Sequence, residues 1–97
     1  MKARTLPPEF GVEVAAIDVA RDAAYAALRA ANARGLTGSD IDVFTEAMDR
    51  VTACCEELRR TYFPRRHQLF VGGGLATIFS KTGRVTEIVW SRGPGDE

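Results

Sequence analysis

Residues 67–91, HQLFVGGGLATIFSKTGRVTEIVWS, decide the fold, because here the spacing of apolar residues changes from helical to alternating. The runs "HQLFV", "LATIFSK" and "RVTEIVWS" are rich in β-branched and aromatic residues and are separated by "GGG" and "TG". That is the spacing and turn chemistry of a three-stranded antiparallel β-meander. A tight turn at Thr82–Gly83 predicts Phe79 opposite Thr86, Thr77 opposite Ile88 and Leu75 opposite Trp90. One face of such a sheet is strongly apolar and needs a cover.

The glycine run Gly72–Gly74 raises a chemical question, since glycine loops after an apolar strand often wrap phosphate. Phosphate loops, however, join a strand to a helix whose N-terminus holds the anion. Here another strand follows, so the run reads as a hairpin connection, with glycine supplying positive φ at no steric cost. Three glycines exceed what a tight turn requires. Either the segment moves or another backbone approaches it closely.

The cover for the sheet lies upstream. Ile41, Phe44, Met48, Val51, Cys55, Leu58 and Tyr62 fall at alternating steps of three and four, a heptad seam that predicts a helix over 40–63. Ser39 is placed to cap it, with Asp42 reaching back three residues on. Asp42, Glu46 and Asp49 form an acidic stripe on the opposite side, which reads as a solvated face and not as a metal site. Glu46 with Arg50 and Glu56 with Arg60 are favourable pairs four apart. Pro64 ends the helix, because the residue before a proline resists helical geometry.

A first helix is predicted over 12–34. One stripe holds Val14, Ile17, Ala24, Leu28 and Ala31, and a parallel one holds Ala16, Ala20, Ala23, Ala27 and Ala30. Gly35 can take the left-handed conformation past the last turn, with Leu36 making the accompanying apolar contact. The short link between the helices implies an antiparallel hairpin. The paired prolines of "TLPPEF" predict an extended arm over 1–9, and 92–97 a frayed tail. The whole chain, 1–97, then reads as a single α+β domain in which a long antiparallel helical hairpin packs on a meander over 66–91 (ααβββ).

Composition narrows the function classes. The 97 residues carry 13 basic and 13 acidic side chains, 45% hydrophobic content and no apolar run long enough for a signal peptide or membrane span. The expectation is a cytoplasmic protein with no membrane partner. Residues 1–57 hold six Lys/Arg against ten Asp/Glu, and 58–97 hold seven against three. That polarity suits pairing between copies, or an anionic partner on the basic half, better than the uniform field of a dedicated nucleic-acid binder. Eleven of the 13 basic residues are Arg and alanine is abundant, which suggests a GC-rich bacterial or phage coding sequence.

Catalytic chemistry is sparse. Cys54 and Cys55, adjacent on a helix, diverge too far to bridge and cannot build a zinc site alone. His67 is the sole histidine and has no Ser or Cys placed beside it. No catalytic residue, metal ligand or cofactor is expected. The basic cluster Arg59, Arg60, Arg65, Arg66 and His67 can clamp phosphates or carboxylates. Alternatively it complements the negative end of the second helix.

The order of two helices followed by "RRHQLFVGGGLATIFSKTGRVTEIVWSRG" resembles the C-terminal part of RelE/ParE-type bacterial toxins over residues 66–92. The resemblance implies an RNA-cleaving or partner-poisoning toxin whose anion-contacting set is Arg66, His67, Lys81, Arg84 and Arg92. The residues themselves point first to a non-enzymatic interaction protein. Surplus apolar periodicity on the helices predicts a homodimer through the Ala16, Ala20, Ala23, Ala27 and Ala30 face, with a protein partner in addition. A nucleic-acid-binding accessory factor using the arginine cluster is the third alternative.

Overall fold

The computed structural model describes residues 7–73 and 75–89. Helix α1 (Pro8–Arg34) and helix α2 (Gly38–Tyr62) are followed by strands β1 (Gln68–Gly72) and β2 (Leu75–Phe79), which pair antiparallel. The backbone of Val85–Val89 (β3) runs antiparallel along the other side of β2. The chain is thus α+β, with a helical hairpin covering an antiparallel sheet. The hairpin is antiparallel because Phe10, near the start of α1, meets Tyr62 at the end of α2, with ring centroids 5.2 Å apart.

Helix α1 begins four residues earlier than its periodicity suggests. Pro7 stays extended (φ −66°, ψ 154°), and Pro8 takes the first helical position, where its missing N–H has no partner to lose. Pro8 and Glu9 therefore belong to the helix and not to an extended arm; residues 1–6 of that expected arm lie outside the described residues. The extra turn is held by Phe10, which is buried against the edges of Tyr62 and Phe63. Along the helix Val14, Ile17, Ala24 and Ala31 are buried and Leu28 half-buried, as the first stripe requires. The alanine stripe is exposed throughout.

Gly35 ends α1 with φ 101°, its N–H donating to the Asn32 carbonyl. The start of α2 differs from expectation by two residues. Thr37, not Ser39, is the cap: its hydroxyl accepts from the Asp40 N–H at 3.2 Å while the Asp40 carboxylate accepts from the Thr37 N–H at 3.0 Å. This reciprocal box satisfies two amides at once. Asp40 wins over Asp42 because Arg34, at the end of α1, reaches it at 2.7 Å and ties the two helices together across the loop.

The seam of α2 is graded. Val51, Cys55 and Leu58 are buried; Phe44, Met48 and Tyr62 are half-buried; Ile41 is exposed. The gradient follows the sheet, since the buried three join Leu69, Val71, Ala76 and Ile78 in one core that, among the described residues, takes none from the first turns of α2. Phe44 packs instead on Tyr25, with centroids 5.2 Å apart. Near the C-terminus Glu56 pairs with Arg59 at 2.8 Å and not with Arg60.

In the sheet, Leu69 and Val71 of β1 and Ala76 and Ile78 of β2 face the helices. Gln68, Phe70, Leu75, Thr77 and Phe79 form the outer face, and the first four also border a hollow of about 470 Å³ beside Tyr25, Met48 and Thr52 of the helices. The link from β2 to β3 is three residues and not two: Ser80 N–H donates to the Arg84 carbonyl at 2.9 Å, and Lys81, Thr82 and Gly83 (φ 86°) lie between. The register is accordingly one residue shorter than the Thr82–Gly83 turn implies. Phe79 faces Val85, Thr77 faces Glu87 and Leu75 faces Val89, while Trp90 lies outside the described residues. A one-residue slip exchanges the two faces of β3, so Thr86 and Ile88 stand opposite the buried Ile78 and Ala76.

Candidate interaction surfaces

The basic residues after α2 gather at one end of the sheet. The start of β1 lies beside the end of β2, and His67 N–H donates to the Phe79 carbonyl at 2.7 Å. The turn carrying Lys81 and Arg84 opens from the same end. Arg65, His67, Lys81 and Arg84 are exposed there, with Arg66 half-exposed and Arg60 exposed on the last turn of α2. Arg92 lies outside the described residues.

Arg59 is committed elsewhere. Its Nε and Nη2 grip both Glu56 oxygens at 2.9 and 2.8 Å, and its Nη1 reaches the carbonyls of Phe63 (3.5 Å) and Arg66 (2.6 Å). It thus closes the C-terminal turn of α2, where helix carbonyls lack partners, and pins the linker to β1. The pairing holds the Glu56 carboxyl below the usual range and raises the Arg59 guanidinium.

The opposite end of the sheet is clamped to α1. Asp18 has a side chain 1% exposed and accepts from Arg21 Nη2 at 2.7 Å and from the Gly73 N–H at 3.2 Å. Arg21 Nη1 donates to the Val71 carbonyl at 2.5 Å. The Val71 backbone also hydrogen-bonds Cys55, whose thiol is pushed up chiefly by burial. Gly72 has no side chain because the Arg21 guanidinium occupies that space; a Cβ there would collide with Nη1. What approaches the glycine run is therefore a buried ion pair and not another backbone. The signal was present in the sequence: Asp18 and Arg21 interrupt an apolar stripe at positions that face the core.

A third feature lies on the side of the hairpin away from the sheet. A groove of about 620 Å³ runs between the helices, lined by Ala20, Ala23 and Ala27 of α1 and Val43, Ala47 and Cys54 of α2. Arg34 and Arg50 line it toward the loop end. Beyond Cys54 a second hollow continues past Ala16 between Glu13 and Glu57. Val12, Val19 and Val43 stand 70%, 67% and 65% exposed. Ala30, the last of the alanine stripe, is exposed on the same helix.

Among the described residues no three His, Cys, Asp or Glu side chains converge as a metal site would require. Asp42, Glu46 and Asp49 are exposed, and Glu46 pairs with Arg50 at 3.0 Å. Cys54 is exposed while Cys55 is buried, and no described helix is long and apolar enough to cross a membrane. Comparison with protein-family models, curated proteins and solved structures returns no match.

Proposed function

We propose that this chain is a non-enzymatic interaction module, a helical hairpin on a three-stranded meander, that self-associates through the outward face of its helices as a dimer. One observation carries the reading: α1 is apolar on both sides. Its inner stripe is buried in the core, while Val12, Ala16, Val19, Ala20, Ala23, Ala27 and Ala30 are all exposed. A second apolar stripe, on a helix whose first is already buried, is surface without a cover. Alanines along the groove let a second backbone approach closely, and Val12, Val19 and Val43 supply the apolar area.

The small, apolar lining favours a second copy as the occupant. Charge at the loop end is matched within the chain, Arg34 by Asp40 and Arg50 by Glu46, so a two-fold pairing rests on the exposed alanine and valine face. Light scattering at micromolar concentration tests this: a dimer mass is expected for the parent chain and a monomer for Ala23→Glu, whose side chain points into the groove. A parent chain that stays monomeric at 100-fold higher concentration removes the proposal.

A RelE/ParE-like toxin is the second reading, supported by Arg66, His67, Lys81 and Arg84 sharing one end of the sheet. Expression of a toxin arrests growth, and Arg66→Ala or Lys81→Ala relieves the arrest. Unimpaired growth on expression of the parent chain rejects it.

A further inference from the structure

The outer face of the sheet is not a plain solvated surface. Phe70 is 52% exposed at the middle of β1, and the ring of Phe79 on β2 stands edge-on to it, with centroids 5.7 Å apart and planes at 86°. Val85, opposite Phe79 in the register, is 50% exposed. Phe70 and Val85 are open to water, and Phe79 beside them is half-buried. The T-shaped pair leaves one aromatic face open and props it in place.

The aromatic pair adjoins the basic end directly. Phe79 lies between His67, whose N–H it accepts, and the turn closed by Ser80 and Arg84. Arg65, Lys81 and Arg84 are exposed around it, and no described ion pair engages them. Arg59 and Glu56 neutralise each other within the same region. Glu56 of α2, gripped by Arg59, lines the hollow beside Phe70.

An open ring beside free cations is the chemistry of single-stranded nucleic acid. Bases stack on aromatics whatever their sequence, and the backbone needs fixed positive charge a few ångströms away. An acidic peptide would use the cations and leave Phe70 without a role. A duplex would present no unstacked base to it. We infer that the outer face of the sheet binds single-stranded DNA or RNA without sequence preference, a base stacking on Phe70 and the phosphates lying on Arg65, Lys81 and Arg84. The surface is separate from the helix groove, so the inference stands whether or not the chain dimerises.

Fluorescence anisotropy with labelled 12-mers of dT and of U tests it on the full chain. Both should bind with Kd roughly 1–100 µM at moderate salt, the range of non-specific contacts. Phe70→Ala should weaken binding about tenfold and Phe70→Trp restore or improve it. Both variants should keep the parent's thermal melt, because the ring is outside the core. Combined Arg65→Ala, Lys81→Ala and Arg84→Ala should flatten the dependence of log Kd on log salt by about 2, the slope for three single-strand phosphates. Binding of U but not dT assigns the surface to RNA within the same chemistry. The inference is overturned if neither oligomer binds at 100 µM protein or if Phe70→Ala binds like the parent. It is also overturned if polyglutamate of equal charge competes as well as dT, which would mark an acidic protein surface.

Discussion

Asp18 and Arg21 show how two side chains convert a permissive turn into a fixed one. The Gly73 N–H and Val71 carbonyl point toward α1, and both are met by this ion pair. A carboxylate this deeply buried is costly unless its charge and lone pairs are matched, so removing its partner costs far more than an exposed pair would. Arg21→Ala should lower stability by roughly 3 kcal/mol in urea titration. Gly72→Ala should cost about 1–3 kcal/mol, because the guanidinium can yield to a Cβ only by leaving Val71 or Asp18. Gly73 behaves differently: nothing crowds it, but φ is 57°. Gly73→Asn should therefore be nearly neutral and Gly73→Val strongly destabilising. Equal losses for Gly72→Ala and a control substitution at exposed Gln68 would show that the clamp contributes nothing.

At the scale of elements, the start of α2 has its own electrostatic signature. Arg34 and then Thr37 stabilise the Asp40 carboxylate, which holds its pKa at about 2. Because the folded value is depressed, the contribution is complete above the unfolded carboxylate pKa of about 3.9 and is lost as pH falls toward about 2. Carbon-detected titration of Asp40 should show that low midpoint, and Arg34→Ala should move it toward the ordinary range. Thr37→Ala should cost about 1 kcal/mol, where Ser39→Ala costs little. An unmoved Asp40 midpoint in Arg34→Ala would separate the cap from the inter-helix bridge. These elements also mark where sequence reading stops. The heptad of α2 is legible because Val51, Cys55 and Leu58 repeat with the helix itself, and Gly72–Gly74 reads as a turn because a strand follows. The cap at Thr37 is not, since Ser39 and Asp42 match the same local pattern and only Arg34, six residues before Asp40, decides between them. The β3 register turns on whether Lys81 belongs to the strand or the loop, a choice made by the Ser80–Arg84 closure. The exposed aromatic pair is equally hidden: alternation places Phe70 and Phe79 on one face, but which face meets the helices depends on where the hairpin lands.

At the scale of the molecule, the two proposed surfaces use different side chains, since none of Arg65, Phe70, Lys81 and Arg84 lines the helix groove. Among the described residues the groove is lined by α1 and α2 alone, and Phe70 borders a hollow of about 470 Å³ between the sheet and Tyr25, Met48 and Thr52 of the hairpin. Pairing two copies groove to groove leaves both sheets uncovered, each with its own basic end, because no described sheet residue lines the groove. A dimer of this kind holds two single-strand platforms on a rigid spacer, and a long strand can reach both. The second contact is then intramolecular, with an effective concentration in roughly the millimolar range, which raises affinity without any new residue. Ala23→Glu should therefore leave the affinity for a 12-mer unchanged and weaken that for a strand several times longer by about tenfold or more. Phe70→Ala should weaken both. The four measurements separate the two surfaces: a loss on the 12-mer with Ala23→Glu would mean that the groove, and not the sheet, touches nucleic acid. Equal affinity of parent and Ala23→Glu for the long strand would mean that the platforms act alone, leaving dimerisation to serve a different partner.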